Sequence, residues 1–252
     1  MTRAWEDART VMRANDVSTV PRRVGHRWLV GPVAVLLLGA GIAVSQTYDA
    51  PSPAGAAPTP AVASSAQQAL AALPVKGRAP KTGYARARFG KGWDDDVDVE
   101  FGHNRCSTRE DVLRRDLVGV TLNPDGCRVM SGILVDRYTG TTVPFVRGQR
   151  TSSKVQIDHV VALADAWQKG AQQWSSTRRR DFANDPRNLQ AVEGDVNQRK
   201  GAGDAATWLP PDKSYRCTYV ARQIDVKRVY GLWVTAAERD AMSRVLSGCG
   251  SR

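Results

Sequence analysis

An uncharged run from Trp28 to Val44 decides how much of this 252-residue chain is left to fold in water. Its 17 residues stand at the lower edge of what crosses the hydrocarbon core of a bilayer. Arg22, Arg23 and Arg27 precede the run and no charge comes soon after it, which orients the N-terminus to the cytoplasm and sends the rest out. The long polar arm in front favours a retained anchor. Ala43 and Ser45 supply the small residues of a cleavage site, so a removed signal peptide is the alternative, and either one exports the remainder of the chain. From Ala50 to Ala66 the chain has 7 Ala and 4 Pro and no apolar period, the composition of an extended spacer, with a helical turn or two over Gln67–Leu73 ended by Pro74. The expected organisation is therefore a basic cytoplasmic arm (1–27), a transmembrane or signal segment (28–44), an Ala/Pro-rich linker (45–80) and one exported domain (81–252), extracellular or at the cell surface. The membrane is a partner only if the segment is kept, and a monomer is expected.

The four cysteines, Cys106, Cys127, Cys217 and Cys249, all fall in the exported part, as disulfides in an oxidising compartment do. Pairing Cys106 with Cys127 and Cys217 with Cys249 staples local segments, and is favoured among the three connectivities open to four cysteines. No Cys-x-x-Cys or Cys/His doublet points to structural zinc. The formal charge is +11, to which the arm gives six Arg against three acids, leaving +8 for the remainder. A field of that sign gathers polyanions, nucleic acid foremost.

Within the exported part, Trp93–Glu100 is acidic but lacks the Gly and the spaced Glu of an EF-hand, and reads as a solvated loop. Ser107 or Thr108 caps a short helix through Leu117. Cys127–Val135 reads as a strand, Asp136–Gly140 as a turn and Thr142–Val146 as its hairpin partner. Near the end, Ser214 opens a helix that Gly231 stops. Thr235–Glu238 is a capping box that starts a last helix.

The chemistry concentrates in Gln156–Lys200. Hydrolysis of a phosphodiester needs a deprotonated water, neutralisation of the crowded phosphorus centre and help for the leaving oxygen. A positioned imidazole and one divalent cation supply these. His159, one of three histidines, comes after Asp158 where an apolar strand gives way to a helical pattern, a place where adjacent side chains can serve one site. Asn188 opens a second apolar strand. Asn197 and Lys200, three apart, share a helix face. Asp158 and Asn197 offer hard oxygens and leave coordination positions for water and phosphate, as Mg2+ prefers.

Asp158-His159, Asn188-Leu189-Gln190 and Asn197-x-x-Lys200 resemble the signature of HNH endonucleases of the ββα-metal (His-Me finger) superfamily. Ile157–Leu163, Ala183-Asn184-Asp185 and Trp208-Leu209-Pro210-Pro211 resemble its exported actinobacterial branch in particular. The resemblance implies an α+β fold: a ββα-metal core with a β-rich lead-in and C-terminal helices. It implies His159 as general base, Asp158 and Asn197 as metal ligands, Asn188 as the residue that orients His159 or its loop, and Lys200 as a phosphate contact. Arg109, in a Cys-x-Thr-Arg segment similar to that branch, becomes a further phosphate candidate. The metal implied is Mg2+ or Mn2+, with Zn2+ the poorer choice. The activity expected is cleavage of DNA or RNA with low sequence specificity, since phosphate contacts carry affinity without base readout. A non-catalytic nucleic-acid-binding module and a hydrolase of another phosphoester are the rivals.

Overall fold

The computed structural model describes residues 60–148 and 151–249. The arm and the Trp28–Val44 run lie outside them. Among the described residues no helix is long and apolar enough to cross a membrane. The described residues form a mixed fold of seven α-helices, a three-stranded sheet and a two-stranded sheet.

The first element corrects the linker expected over 45–80. Helix α1 (Pro60–Ala72) buries Ala63, Ala66 and Leu70, with Leu73 just past its end, at the three-and-four spacing of an amphipathic helix. It packs on α6 (Arg216–Tyr230) and α7 (Ala236–Ser247). Proline composition had pointed to an extended chain, yet after Pro60 no proline occurs until Pro74, and the Ala-rich interval is an excellent helix former. The strap after the helix is also pinned. Val75 bridges Val234, the Ala79 N–H donates to Gln168 O at 2.9 Å, and Arg78 reaches Asp165 and Asp204. The packed unit thus includes α1 and the strap, both ahead of residue 81. Leu70→Ala should cost about 2–5 kcal/mol, the range for emptying a buried leucine site. Urea unfolding of the full chain checks this, and a loss under about 1 kcal/mol would mean that α1 is not part of the core.

Helix α2 (Thr108–Asp116) leads into a meander of β1 (Leu117–Leu122), β2 (Val129–Val135) and β3 (Thr142–Val146). The expected hairpin is present, with Val135 opposite Thr142 and Ser131 opposite Val146. Leu117, expected as the end of the helix, instead opens β1 opposite Leu134. Its buried side chain satisfies either periodicity, and pairing with β2 decides between them.

The second sheet is the pair β4 (Val155–His159) and β5 (Leu189–Glu193), antiparallel with Ile157 opposite Ala191 and His159 opposite Leu189. Helices α3 (Leu163–Gln168) and α4 (Ser176–Asn184) fill the excursion between them, and α5 (Gly194–Lys200) comes directly after β5. Strand, strand, helix is the order the resemblance implied. Both faces of the pair are covered: Ile157, Leu189 and Ala191 face Leu113, Leu134 and Phe145, while Val192 and Val196 join Tyr138, Tyr219 and Ile224. Disulfides join Cys106 to Cys127 and Cys217 to Cys249, the pairing expected from locality. Gly231 ends α6 at φ 65, where a side chain would be strained, and the Thr235 hydroxyl caps α7 by accepting from the Glu238 N–H.

Candidate active site

Strand β4 ends on His159, and the surroundings of the ring settle its protonation. Its Nε2 lies 2.9 Å from the Ala183 carbonyl oxygen. A carbonyl only accepts, so Nε2 carries the hydrogen and Nδ1 holds the lone pair. Nδ1 has no protein partner among the described residues. The imidazole lies nearly parallel to the Trp93 indole, 6.0 Å between centroids and 13° between planes. Burial lowers its pKa to about 3; the Ala183 carbonyl opposes this, while Arg86 and Lys200 add to it. The ring is neutral at pH 7, the form a base needs.

Asp158, the preceding residue, is held from below. The Tyr138 hydroxyl donates to its Oδ2 at 2.6 Å, and Lys200 Nζ lies 2.9 Å from both carboxylate oxygens. Lys200 Nζ also donates to the His159 carbonyl oxygen at 2.8 Å, and its side chain is 0% exposed. The expected phosphate contact is therefore corrected: Lys200 is an internal counter-ion beneath β4. Spacing on α5 gives Asn197 and Lys200 a common side, but the short helix tips its C-terminal end under the strand, so only Asn197 stays half-exposed.

Asn188 does not touch the imidazole. Its Oδ1 accepts from the Val161 N–H at 2.8 Å, its Nδ2 donates to Val161 O at 3.2 Å, and its carbonyl accepts from the Val160 N–H. Of the two roles expected for it, the geometry is that of a clamp on the loop after His159. Arg109 donates to the Val155 carbonyl at 3.1 Å, and burial pulls its pKa below the usual range for arginine.

Four of the six residues singled out in the sequence, Asp158, His159, Asn197 and Arg109, line one cavity of about 450 Å³. Asn188 and Lys200 stand behind its wall. Arg86, Trp93 and Tyr84 line it as well, and sequence reasoning missed them along with Tyr138. The only available sign was aromatics set among basic residues at 84–93.

No group of three or more His, Cys, Asp or Glu that could hold a metal occurs among the described residues. The oxygens that remain do suit a hard cation. Asn197 donates through Nδ2 to Gln156 at 2.9 Å, and among the described residues its Oδ1 has no protein partner and Asp158 Oδ1 accepts only from Lys200. One carboxylate and one amide oxygen are ligands of the kind that could hold Mg2+ or Mn2+ with water completing the shell, and they fall short of the three or four protein ligands that Zn2+ takes.

Residues 107–245 match the family described as GmrSD restriction endonucleases, C-terminal domain. An uncharacterized secreted protein of Arthroderma benhamiae is 41% identical over 202 residues, which cover 79% of this chain and 92% of that protein. This relative is fungal, so the likeness is not confined to an actinobacterial branch. No solved structure matches the chain. With the family spanning just over half of the chain, and its matched region holding His159, Asp158 and the strand–strand–helix unit that presents them, the protein belongs to the GmrSD restriction endonuclease C-terminal domain family.

Proposed function

We propose that the protein is an exported, metal-dependent endonuclease of the ββα-metal type that hydrolyses phosphodiester bonds of DNA or RNA. The observation that carries this reading is the neutral, buried His159, with its Nδ1 lone pair unclaimed among the described residues, in the cavity that Asp158 and Asn197 also line. Nδ1 takes a proton from water, the water oxygen attacks phosphorus, and the bond to the leaving ribose or deoxyribose oxygen breaks, that oxygen taking a proton from solvent. Asp158 and Asn197 would hold the cation, whose Lewis acidity offsets charge on the phosphoryl oxygens. Arg109 and Arg86 add fixed positive charge on the cavity wall, where phosphate enters. Tyr138 and Lys200 fix the Asp158 carboxylate, while the Asn188 clamp holds the turn that aims His159.

Export is supported by the two disulfides and by the description of the fungal relative as secreted. The test is cleavage of plasmid DNA and of RNA by the full chain, with Mg2+ or Mn2+ and with EDTA. Cutting of at least one of the two substrates with metal and none with EDTA is expected. Undiminished cutting in EDTA would remove the cation from the reading. Binding without cutting under Mg2+, Mn2+, Ca2+ and Zn2+ would make the protein a nucleic-acid-binding module.

A further inference from the structure

The cavity at His159 has neighbours that share part of its lining. A second, of about 240 Å³, shares Arg86, Trp93 and His159 with the first and is lined also by Lys91. A third, of about 300 Å³, shares Ala87 and Gly90 with the second and is walled by Arg88 and by Arg179 and Arg180 of α4. The three run along the 3₁₀ turn Arg86–Phe89 away from the base.

Most of the charge along this line is unspent. Arg86, Arg88 and Lys91 are exposed, and their side chains have no hydrogen bond or ion pair among the described residues. Arg179 donates to the carbonyls of Arg88, Ala171 and Trp174, contacts that leave its charge in place. Of the nearby acids, Asp96 pairs with Arg180 at 3.0 Å and offsets that one cation of the third cavity's wall, while Asp98 lies 3.3 Å from His103. Trp93 stands at φ 62, left-handed backbone that a bulky residue enters at a cost of order 1–3 kcal/mol, so something other than local preference keeps it at the wall.

We propose that Arg86–Trp93 forms a track for one single-stranded nucleic-acid chain, with Arg88 and Lys91 meeting phosphates on one side of the bond that His159 serves. The proposal rests on the nuclease reading for the identity of that bond. Depressions of small-ligand size that lie side by side each suit a single nucleotide of a flexible strand. A duplex is a stiff convex cylinder and cannot enter them in turn. Cations interleaved with aromatic side chains, here Tyr84 and Trp93, are how single strands are held without sequence preference. The track lies N-terminal to residues 107–245, outside the region the family match covers.

The experiment measures fluorescence anisotropy of labelled oligothymidylate, oligouridylate and a duplex of equal length with the full chain in EDTA, for the parent and for Arg88→Ala/Lys91→Ala. Both side chains are exposed, so the double variant folds. It should bind the preferred single strand at least about tenfold more weakly, and the slope of log K against log salt should flatten by about 1.4, two contacts at roughly 0.7 each. Duplex binding should be weaker in the parent and unchanged by the substitutions. The tighter of the two single-strand arms identifies DNA or RNA as the source. Unchanged affinity and slope, or an equal loss on duplex, overturns the track. The two readings fail separately: strand binding through Arg88 and Lys91 without cutting would retain the track and remove the nuclease, whereas plasmid cleavage with an unaltered double variant would do the reverse.

Discussion

His159→Ala should lower the rate of metal-dependent cleavage by roughly 10²–10⁴-fold, the contribution of a positioned general base, while strand binding persists. The geometry separates the two effects. His159 is neutral, so it adds no charge to the attraction for phosphate, and the cations that do, Arg86 and Arg109 in the cavity with Arg88 and Lys91 beyond it, are untouched. The substitution removes one hydrogen bond to the Ala183 carbonyl, at a cost of about 1–3 kcal/mol. Two disulfides and three hydrophobic clusters remain, so the variant folds. Cleavage at the parental rate would remove His159 as the base. Parallel loss of binding and cleavage would mean that the ring supports the cavity rather than the proton transfer.

The parts of this site that could be read from the chain are those whose geometry is local. Asp158-His159 closes an apolar run, and a strand end is a place where neighbouring side chains can serve one cavity. Alternation around Asp136–Gly140 was enough to place the β2–β3 hairpin, and short separations were enough to pair the disulfides. The features that escaped depend on depth. Three-residue spacing says that Asn197 and Lys200 share a side of α5, but whether that side meets solvent or the underside of β4 is decided by packing, and Lys200 lies under it. Tyr138 reads as a turn residue, yet it buries its ring and donates to a carboxylate 20 positions away, a contact with no local signature. Helix α1 was hidden by the prolines in front of it, because a window that includes Pro51–Pro60 averages away the stripe of Ala63, Ala66 and Leu70. Trp93 was masked in the same way by the acids immediately after it.

Asp165→Asn should destabilise the protein by about 3–5 kcal/mol, the usual cost of leaving a buried charge without its partner. Asp165 lies at the centre of six charges: Lys169 Nζ reaches Asp165 at 2.7 Å, Asp204 at 2.8 Å and Glu238 at 2.6 Å, and Lys227 Nζ reaches Asp165 at 3.2 Å and Glu238 at 3.0 Å. Arg78 of the N-terminal strap closes the set on Asp165 at 2.9 Å and on Asp204 at 2.5 Å. Three acids balance three cations, and both lysines are 0% exposed, so an amide at 165 leaves a cation in excess where water cannot screen it. Burial alone would raise the Asp165 carboxyl; Lys227 and then Lys169, with Arg78, outweigh it and hold the pKa at about 2, and Asp204 is lowered as well. A carboxylate depressed below its unfolded value of roughly 3.9 contributes its full stability above about pH 5 and loses it as pH falls towards 2, because the unfolded chain takes up protons that the folded one refuses. Urea midpoints should therefore fall steeply for the parent between about pH 5 and 3, and less steeply for the Asn variant, which starts lower. Equal stability and equal slope would show that the cluster is energetically idle. Its placement argues otherwise: through Arg78 it fastens the strap that runs into Tyr84 and Arg86, and through Asp165 and Lys169 it fastens α3, whose entry loop leaves His159. Burying charge there is a costly way to gain stability but an effective way to fix one arrangement, in this case the wall of a cavity relative to its base.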